Sequence, residues 1–266
     1  MNIIVTGSEG YIGKNLIPIL KRCDFNVMGI DRKNGFEASS IHHKFLKYNK
    51  IEYIIHLAAL SGISACSDDL KQAYLDNVST TINIFRSAEG ENIPVIFASS
   101  QAAKTPKANY YALTKYMAEC EAEEINKRNQ TNIRVLRFTN IYGGIDYLET
   151  KNTVISRFVK AKKENKEMVV NGDGTQERDF IHVNDICKAI YHSMLWGNLY
   201  EPIDIGTGVA TSVLQLAKIF DHKFTFHPRS SIIGTSRNVA DTENAKKFIA
   251  FSSKLKLEEQ IRKEYL

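Results

Sequence analysis

The stretch Asn2-Ile3-Ile4-Val5-Thr6-Gly7-Ser8-Glu9-Gly10-Tyr11-Ile12-Gly13 decides the fold. An apolar strand runs straight into a turn with three glycines, and an amphipathic segment, Tyr11 to Arg22, begins where the turn ends. Gly7, Gly10 and Gly13 permit the turn and let backbone N–H groups approach an anion at the positive end of a helix. About 20 residues further on, Val27-Met28-Gly29-Ile30 ends in Asp31, placed to accept hydrogen bonds from a ribose 2′-hydroxyl. Strand, glycine turn, helix, second strand and acid in this order mark a dinucleotide-binding unit. Its contact residues are expected to be Gly7, Gly10, Tyr11, Ile12, Gly13 and Asp31.

Further strands are expected at Tyr53 to Leu57, Val95 to Ser99 and Ile133 to Phe138, with helices over Asp69 to Glu89 and Tyr110 to Arg128. Near-continuous apolar strands alternating with helices indicate an α/β fold, a Rossmann-type doubly wound parallel sheet covered on both faces. The second half is less regular. Asn171-Gly172-Asp173-Gly174 reads as a tight turn, Val183 to Trp196 as a helix, and Pro202 to Ile205 as one further strand. The expected division is a dinucleotide-binding domain over 1–165, to which 182–206 returns, and a smaller C-terminal substrate-binding region over 166–266.

Composition narrows the function classes. The chain has 266 residues, 43% hydrophobic and 24% charged, and a net charge of +5 spread along its length rather than gathered into a basic arm. Nucleic-acid binding would want a clustered basic stripe with interleaved aromatics, so no nucleic-acid partner is expected. No apolar run reaches the roughly 20 residues that span a bilayer, and the N-terminus lacks a basic leader, so a cytoplasmic protein without membrane partners is expected. Cys23, Cys66, Cys120 and Cys187 lie far apart with no Cys-x-x-Cys pair, which fits neither a disulfide framework nor a metal site.

A carboxylate at Asp31 repels a 2′-phosphate and favours NAD over NADP, whereas Arg32, immediately after it, is a residue able to hold such a phosphate. NAD is the expected cofactor. Tyr111-Ala112-Leu113-Thr114-Lys115 sets a phenol and an ammonium four residues apart on one helix face. A free phenol, with a pKa of about 10, is a poor base at neutral pH. A neighbouring ammonium and the positive ring of an oxidised nicotinamide are expected to lower that value.

Taken with Val95-Ile96-Phe97-Ala98-Ser99-Ser100, which ends a strand at the ligand-binding edge of the sheet, these segments bring a family into view. The chain resembles the extended short-chain dehydrogenase/reductase family, in its NAD-dependent sugar-nucleotide epimerase/dehydratase branch. The matching segments are Thr6 to Gly13, His56-Leu57-Ala58-Ala59, Asn77, Ser99-Ser100, Tyr111 to Lys115, Arg137 to Gly143 and Gly172 to Asp185. The resemblance implies that Tyr111 is the catalytic base and acid, Lys115 its partner and a ribose contact, and Ser100 the hydroxyl that orients the reacting oxygen. It also implies that Leu57, Ala58, Ala59, Asn77 and Phe138 line the cofactor cleft, Asn77 as support for a loop. Asn140, Arg178 and Arg229 are implied as contacts to the diphosphate of a nucleotide-diphosphate sugar. His56 and His182 are expected to be structural histidines.

The chain also departs from the family. The stretch from Asp31 to Tyr53 is short, ten residues separate Ser100 from Tyr111, and Ala103-Lys104 replaces the usual Tyr-Gly. Gln101 and Ala102 stand where water-eliminating members carry an acid, with Glu9 as an alternative acid. The expected activity is therefore a nucleotide-sugar 4-epimerase working through a transient 4-keto intermediate. A 4-ketoreductase is the near alternative, and a catalytically silent NAD sensor the alternative of another class. A homodimer is expected through Asp69 to Glu89 and Tyr110 to Arg128, with Leu113, Tyr116 and Met117 as interface or core residues.

Overall fold

The computed structural model describes residues 1–129, 132–195, 201–228 and 236–266. Strands β1 (Asn2–Thr6), β2 (Asn26–Ile30), β3 (Tyr53–His56), β4 (Val95–Ser100) and β5 (Ile133–Phe138) form within a residue of the expected bounds. They join the Ile203–Ile205 strand in one six-stranded sheet ordered β2-β1-β3-β4-β5 and then Ile203–Ile205, with every pairing parallel. The strand order reverses at β1, between β2 and β3. Open sheets of this kind bind ligands beyond the strand carboxyl ends at such a reversal.

Burial on both faces explains the continuous apolar strands. Ile3, Val5, Ile55, Ile96 and Leu136 belong to one hydrophobic cluster, while Ile4, Ile54, Val95, Phe97, Ile133 and Val135 belong to the other. The two sets alternate along each strand because neighbouring side chains point to opposite faces. The first cluster contains Leu16 and Leu20 of helix α1 (Tyr11–Arg22) and Ile186 and Ile190 of the Val183–Leu195 helix. It continues without a break into Met168, Leu216 and Phe220 of the second half. The second contains Ile84 and Phe85 with Ala118, Ala122 and Ile125 of the Tyr110–Asn129 helix.

The segment expected as a single helix over Asp69 to Glu89 is broken. Helix Leu70–Tyr74 passes through a wide π turn, Leu75–Ser79, before helix Thr80–Glu91. Such turns re-aim side chains within a helix. This one contains Asp76 and Asn77, both buried. The elements of the second half that lay outside the sequence reading include the Tyr147–Thr150 and Val154–Lys163 helices, strand Met168–Asn171 and the parallel pairing of Asn140–Tyr142 with Phe180–His182. Among the described residues no helix is long and apolar enough to cross a membrane.

Candidate active site

A cleft of about 1160 Å³ opens at the carboxyl edge of the sheet. The glycine turn after β1 forms one end. Gly7 has φ +69°, and a Cβ there would come within 2.8 Å of the Ala58 nitrogen. At Gly13 a Cβ would run into the Gly7 carbonyl oxygen, so only glycine lets helix and turn close up. No side chain caps α1, and its first backbone bond is Lys14 N–H to Gly10 O at 3.0 Å. The earlier N–H groups of Tyr11, Ile12 and Gly13 are left without intrahelical acceptors, and all three residues line the cleft. The arrangement fits a pyrophosphate.

Asp31 is fixed beside this turn. Its carboxylate accepts from Glu9 N at 3.1 Å and Lys33 N at 3.0 Å, which leaves lone pairs for a ribose hydroxyl. Arg32 is committed elsewhere. Its guanidinium grips both oxygens of Asp76 and donates to Glu37 at 3.1 Å, while Gln72 donates to Asp76 at 2.7 Å. Asp76 was not foreseen from the sequence, because only the π turn brings it to Arg32.

At the far end, β4 delivers Ser100 and the Tyr110–Asn129 helix delivers Tyr111 and Lys115 to the same cleft. The Ser100 hydroxyl stands close enough to the Tyr111 phenol to influence its acidity. Lys115 is buried, donates from Nζ to Ala98 O at 2.9 Å and stands 4.9 Å over the Phe97 ring. Burial pulls its ammonium down to about 8, partly opposed by Glu119. The expected depression of the Tyr111 phenol is absent among protein groups alone: burial pushes it up to about 12, and the Ser100 side chain only moderates this. The ammonium is turned toward Ala98, so its field does not offset the loss of water around the phenol.

Ser99 faces away from the Ser100–Tyr111 pair, toward a buried cluster beneath the site. Its hydroxyl bonds to Glu119, which also accepts from Arg137 Nε at 3.0 Å and Nη2 at 2.5 Å. Glu119 lies four residues after Lys115 on the same helix, a spacing that could have revealed it in the sequence.

Leu57, Ala58, Ala59, Phe138, Asn140 and Arg178 also line the cleft. Asn140 donates through Nδ2 to Asp179 O at 3.0 Å. The Asp179 carboxylate accepts from the Thr207, Gly208 and Ala240 N–H groups. Asn77 is not at the cleft surface. It is fully buried, accepts from Leu60 N at 2.8 Å and donates to Leu60 O at 2.9 Å, and so braces the loop after β3. Arg229 lies outside the described residues.

The histidines are held by the fold. His56 bridges Thr6 and Thr81 at 2.7 and 2.9 Å, with burial pulling it down to about 3. His182 bonds to Glu264 at 2.6 Å. Gln101 and Glu9 are not among the cleft-lining residues, whereas Ala102 is. The carboxylates that line the cleft, Asp31, Glu37 and Asp76, all belong to the Arg32 end. Among the described residues no group of three His, Cys, Asp or Glu side chains is placed to hold a metal.

The sequence model of the NAD-dependent epimerase/dehydratase family matches residues 3–206. The chain belongs to this family. It is 34% identical over 248 residues to GDP-6-deoxy-D-talose 4-dehydrogenase of Aggregatibacter actinomycetemcomitans, covering 82% of this chain and 79% of that one. It is 30% identical over 254 residues to a Methanocaldococcus jannaschii protein provisionally named UDP-glucose 4-epimerase, covering 84% of this chain and 83% of the relative. The solved structure of MoeE5 in complex with UDP-glucuronic acid and NAD superposes with a TM-score of 0.86 at 25% identity, covering 100% of this chain and 98% of that chain. As a family member the chain carries the Rossmann-like α/β fold that the sequence resemblance implied, and its relatives act on nucleotide sugars.

Proposed function

We propose that this protein is an NAD-dependent nucleotide-sugar 4-epimerase. The observation that carries the reading is the Ser100–Tyr111–Lys115 constellation in a cleft whose carboxylates are confined to the opposite end. Gly7, Gly10, Tyr11, Ile12 and Gly13 hold the cofactor's pyrophosphate and Asp31 its ribose, with Leu57, Ala58, Ala59 and Phe138 along the cleft wall. When bound, NAD supplies the reversible hydride chemistry at the sugar carbon. Tyr111 takes the proton from the C4 hydroxyl on its phenol oxygen and later returns it. Ser100 keeps the reacting oxygen in line with that phenol. The bound oxidised nicotinamide and the Lys115 ammonium lower the phenol from its value with protein groups alone. Asn140 and Arg178 hold the substrate diphosphate, Arg178 through a forked guanidinium suited to phosphate.

Water elimination from C6 needs a general acid beside the reacting sugar. With Ala102 in the cleft and Gln101 and Glu9 outside its lining, that role has no occupant at the Tyr111 end among the described residues. This supports epimerisation over 4,6-dehydration. A 4-ketoreductase is the second reading, favoured by the similarity to a nucleotide-sugar 4-dehydrogenase. UDP-glucose, dTDP-glucose and GDP-mannose offered with NAD, and a nucleotide-linked 4-keto sugar offered with NADH, followed by NMR and by NADH absorbance, test both. Interconversion at C4 without net NADH change supports the epimerase; stoichiometric use of NADH with a 4-keto sugar supports the reductase. A 4-keto-6-deoxy product from NAD and a hexose would overturn both.

The division proposed for the chain is a cofactor-binding region, 1–165 with 182–206, and a smaller substrate-binding region. Leu70, Tyr74, Leu75, Leu113, Tyr116 and Met117 are exposed on the two helical segments expected to pair in a homodimer. We propose that they form that interface, and a sedimenting species that stays monomeric at every concentration would rule it out.

A further inference from the structure

Lys151 follows the short Tyr147–Thr150 helix and reaches back over the start of α1. Its ammonium stands 5.3 Å from the centroid of the Tyr11 ring and lines the same cleft as Gly10, Ile12 and Gly13. The ring is itself pinned, since the Tyr11 hydroxyl donates to Gly143 O at 2.6 Å. Lys151 is partly buried; its backbone N–H donates to Tyr147 O at 3.0 Å, but its ammonium makes no hydrogen bond or ion pair with a described residue. The nearby carboxylate, Asp146, is already taken by Lys14 at 2.5 Å. Burial pulls the Lys151 ammonium below its ordinary value, with no opposing charge to restore it.

A cation withdrawn from water without a counter-charge is an unfavourable arrangement unless something completes it. The aromatic face of Tyr11 offers only part of the compensation. What faces the cleft beside Tyr11 is a second set of unsatisfied positive groups, the uncapped N–H groups of the first turn of α1. We propose that Lys151 is a phosphate clamp that closes over the glycine turn and, with the N-terminus of α1, holds the pyrophosphate of the dinucleotide. This deepens the cofactor reading above and rests on it. Its position over the first residue of α1 assigns Lys151 to the cofactor's diphosphate, whereas Arg178 is on a separate short strand, Glu177–Arg178. The clamp comes from the loop after Asn140–Tyr142, outside the glycine-turn unit, so the cofactor would be gripped by two separate parts of the chain.

Calorimetry on the full chain tests this with NAD, ADP-ribose, adenosine and the nucleoside diphosphates UDP, GDP and dTDP, for the wild type, Lys151→Met and Lys151→Arg. Thermal unfolding confirms that each variant is folded. Lys151→Met should lose about tenfold or more in affinity for NAD and ADP-ribose while adenosine binding is unchanged, as expected for one charge-assisted contact to phosphate. Lys151→Arg should recover most of that loss. NAD affinity within twofold of wild type in Lys151→Met overturns the proposal. So does a loss confined to the nucleoside diphosphates, which would place Lys151 on the substrate. A wild-type chain that binds neither NAD nor ADP-ribose overturns the cofactor reading and this proposal with it.

Discussion

The two walls of the cleft treat charge differently. On the sheet wall every functional charge is tied to protein: Arg32 to Asp76 and Glu37, Asp31 to backbone N–H groups, and Lys115 to Ala98 O above the Glu119–Arg137 pair. On the wall built by the segment after β5, Lys151 has only an aromatic ring beneath it. Charges of the first kind are oriented before any ligand arrives, which lowers the cost of reorganisation during reaction. A charge of the second kind is completed by the ligand and contributes to affinity. The difference separates residues that set geometry from residues that hold phosphate.

The largest effect should come from the reacting group itself. Tyr111→Phe removes only a hydroxyl from a preformed site, so turnover should fall by about 10²–10⁴-fold while unfolding temperature and NAD affinity hold. An equal loss of NAD affinity would blur the separation between the walls.

Glu119→Gln attacks the sheet wall from beneath. It leaves the partly buried Arg137 guanidinium without its carboxylate and should cost about 3–5 kcal/mol by chemical denaturation. It should also change the pH profile. Glu119 raises the Lys115 value, so its loss lowers Lys115 further below about 8. The ammonium then deprotonates at lower pH, and the alkaline limb of kcat/KM should move toward neutrality. A limb that stays in place would show that Lys115 does not need its charge.

Arg178, whose guanidinium already donates to Glu177 O at 2.7 Å, tests the substrate end: Arg178→Ala should weaken nucleotide-sugar binding by about 1–3 kcal/mol, with kcat less affected than KM. Unchanged substrate affinity would remove Arg178 from the diphosphate site. Asp76→Asn should give the smallest effect and sharpen the contrast most. It loosens Arg32 from its bidentate partner, and NADP affinity should rise severalfold relative to NAD in calorimetry. No change in the ratio would mean that Asp31 alone sets cofactor choice.

The local parts of this architecture were readable from residue order. β1, the glycine turn, α1 and Asp31 are consecutive in the chain, and their chemistry is set by backbone geometry within a short stretch. Tyr111 and Lys115 share a helix face by spacing alone. What escaped notice depends on tertiary placement. Arg32 and Asp76 meet only because a π turn interrupts a segment whose composition reads as one helix. Lys151 sits in a stretch without periodicity, so nothing local indicates that it returns to Tyr11. The elevated Tyr111 phenol escaped for a related reason, because helix spacing reports that an ammonium is near but not that its Nζ is turned to a carbonyl.

The Ile203–Ile205 strand has a consequence for how the chain must be made. It pairs along Leu136, Arg137 and Phe138, yet arrives only after the Met168–Asn171 and Phe180–His182 strands have been traversed. Until it is synthesised, β5 presents a bare row of backbone N–H and C=O groups, which in an apolar edge strand invites pairing with another chain. A polypeptide cut at residue 165 retains the whole glycine-turn unit and Tyr111, but it leaves that seam open. Such a fragment is expected to associate through β5 rather than behave as a working cofactor-binding module, and during translation the same seam is the place where a chaperone would be of most use.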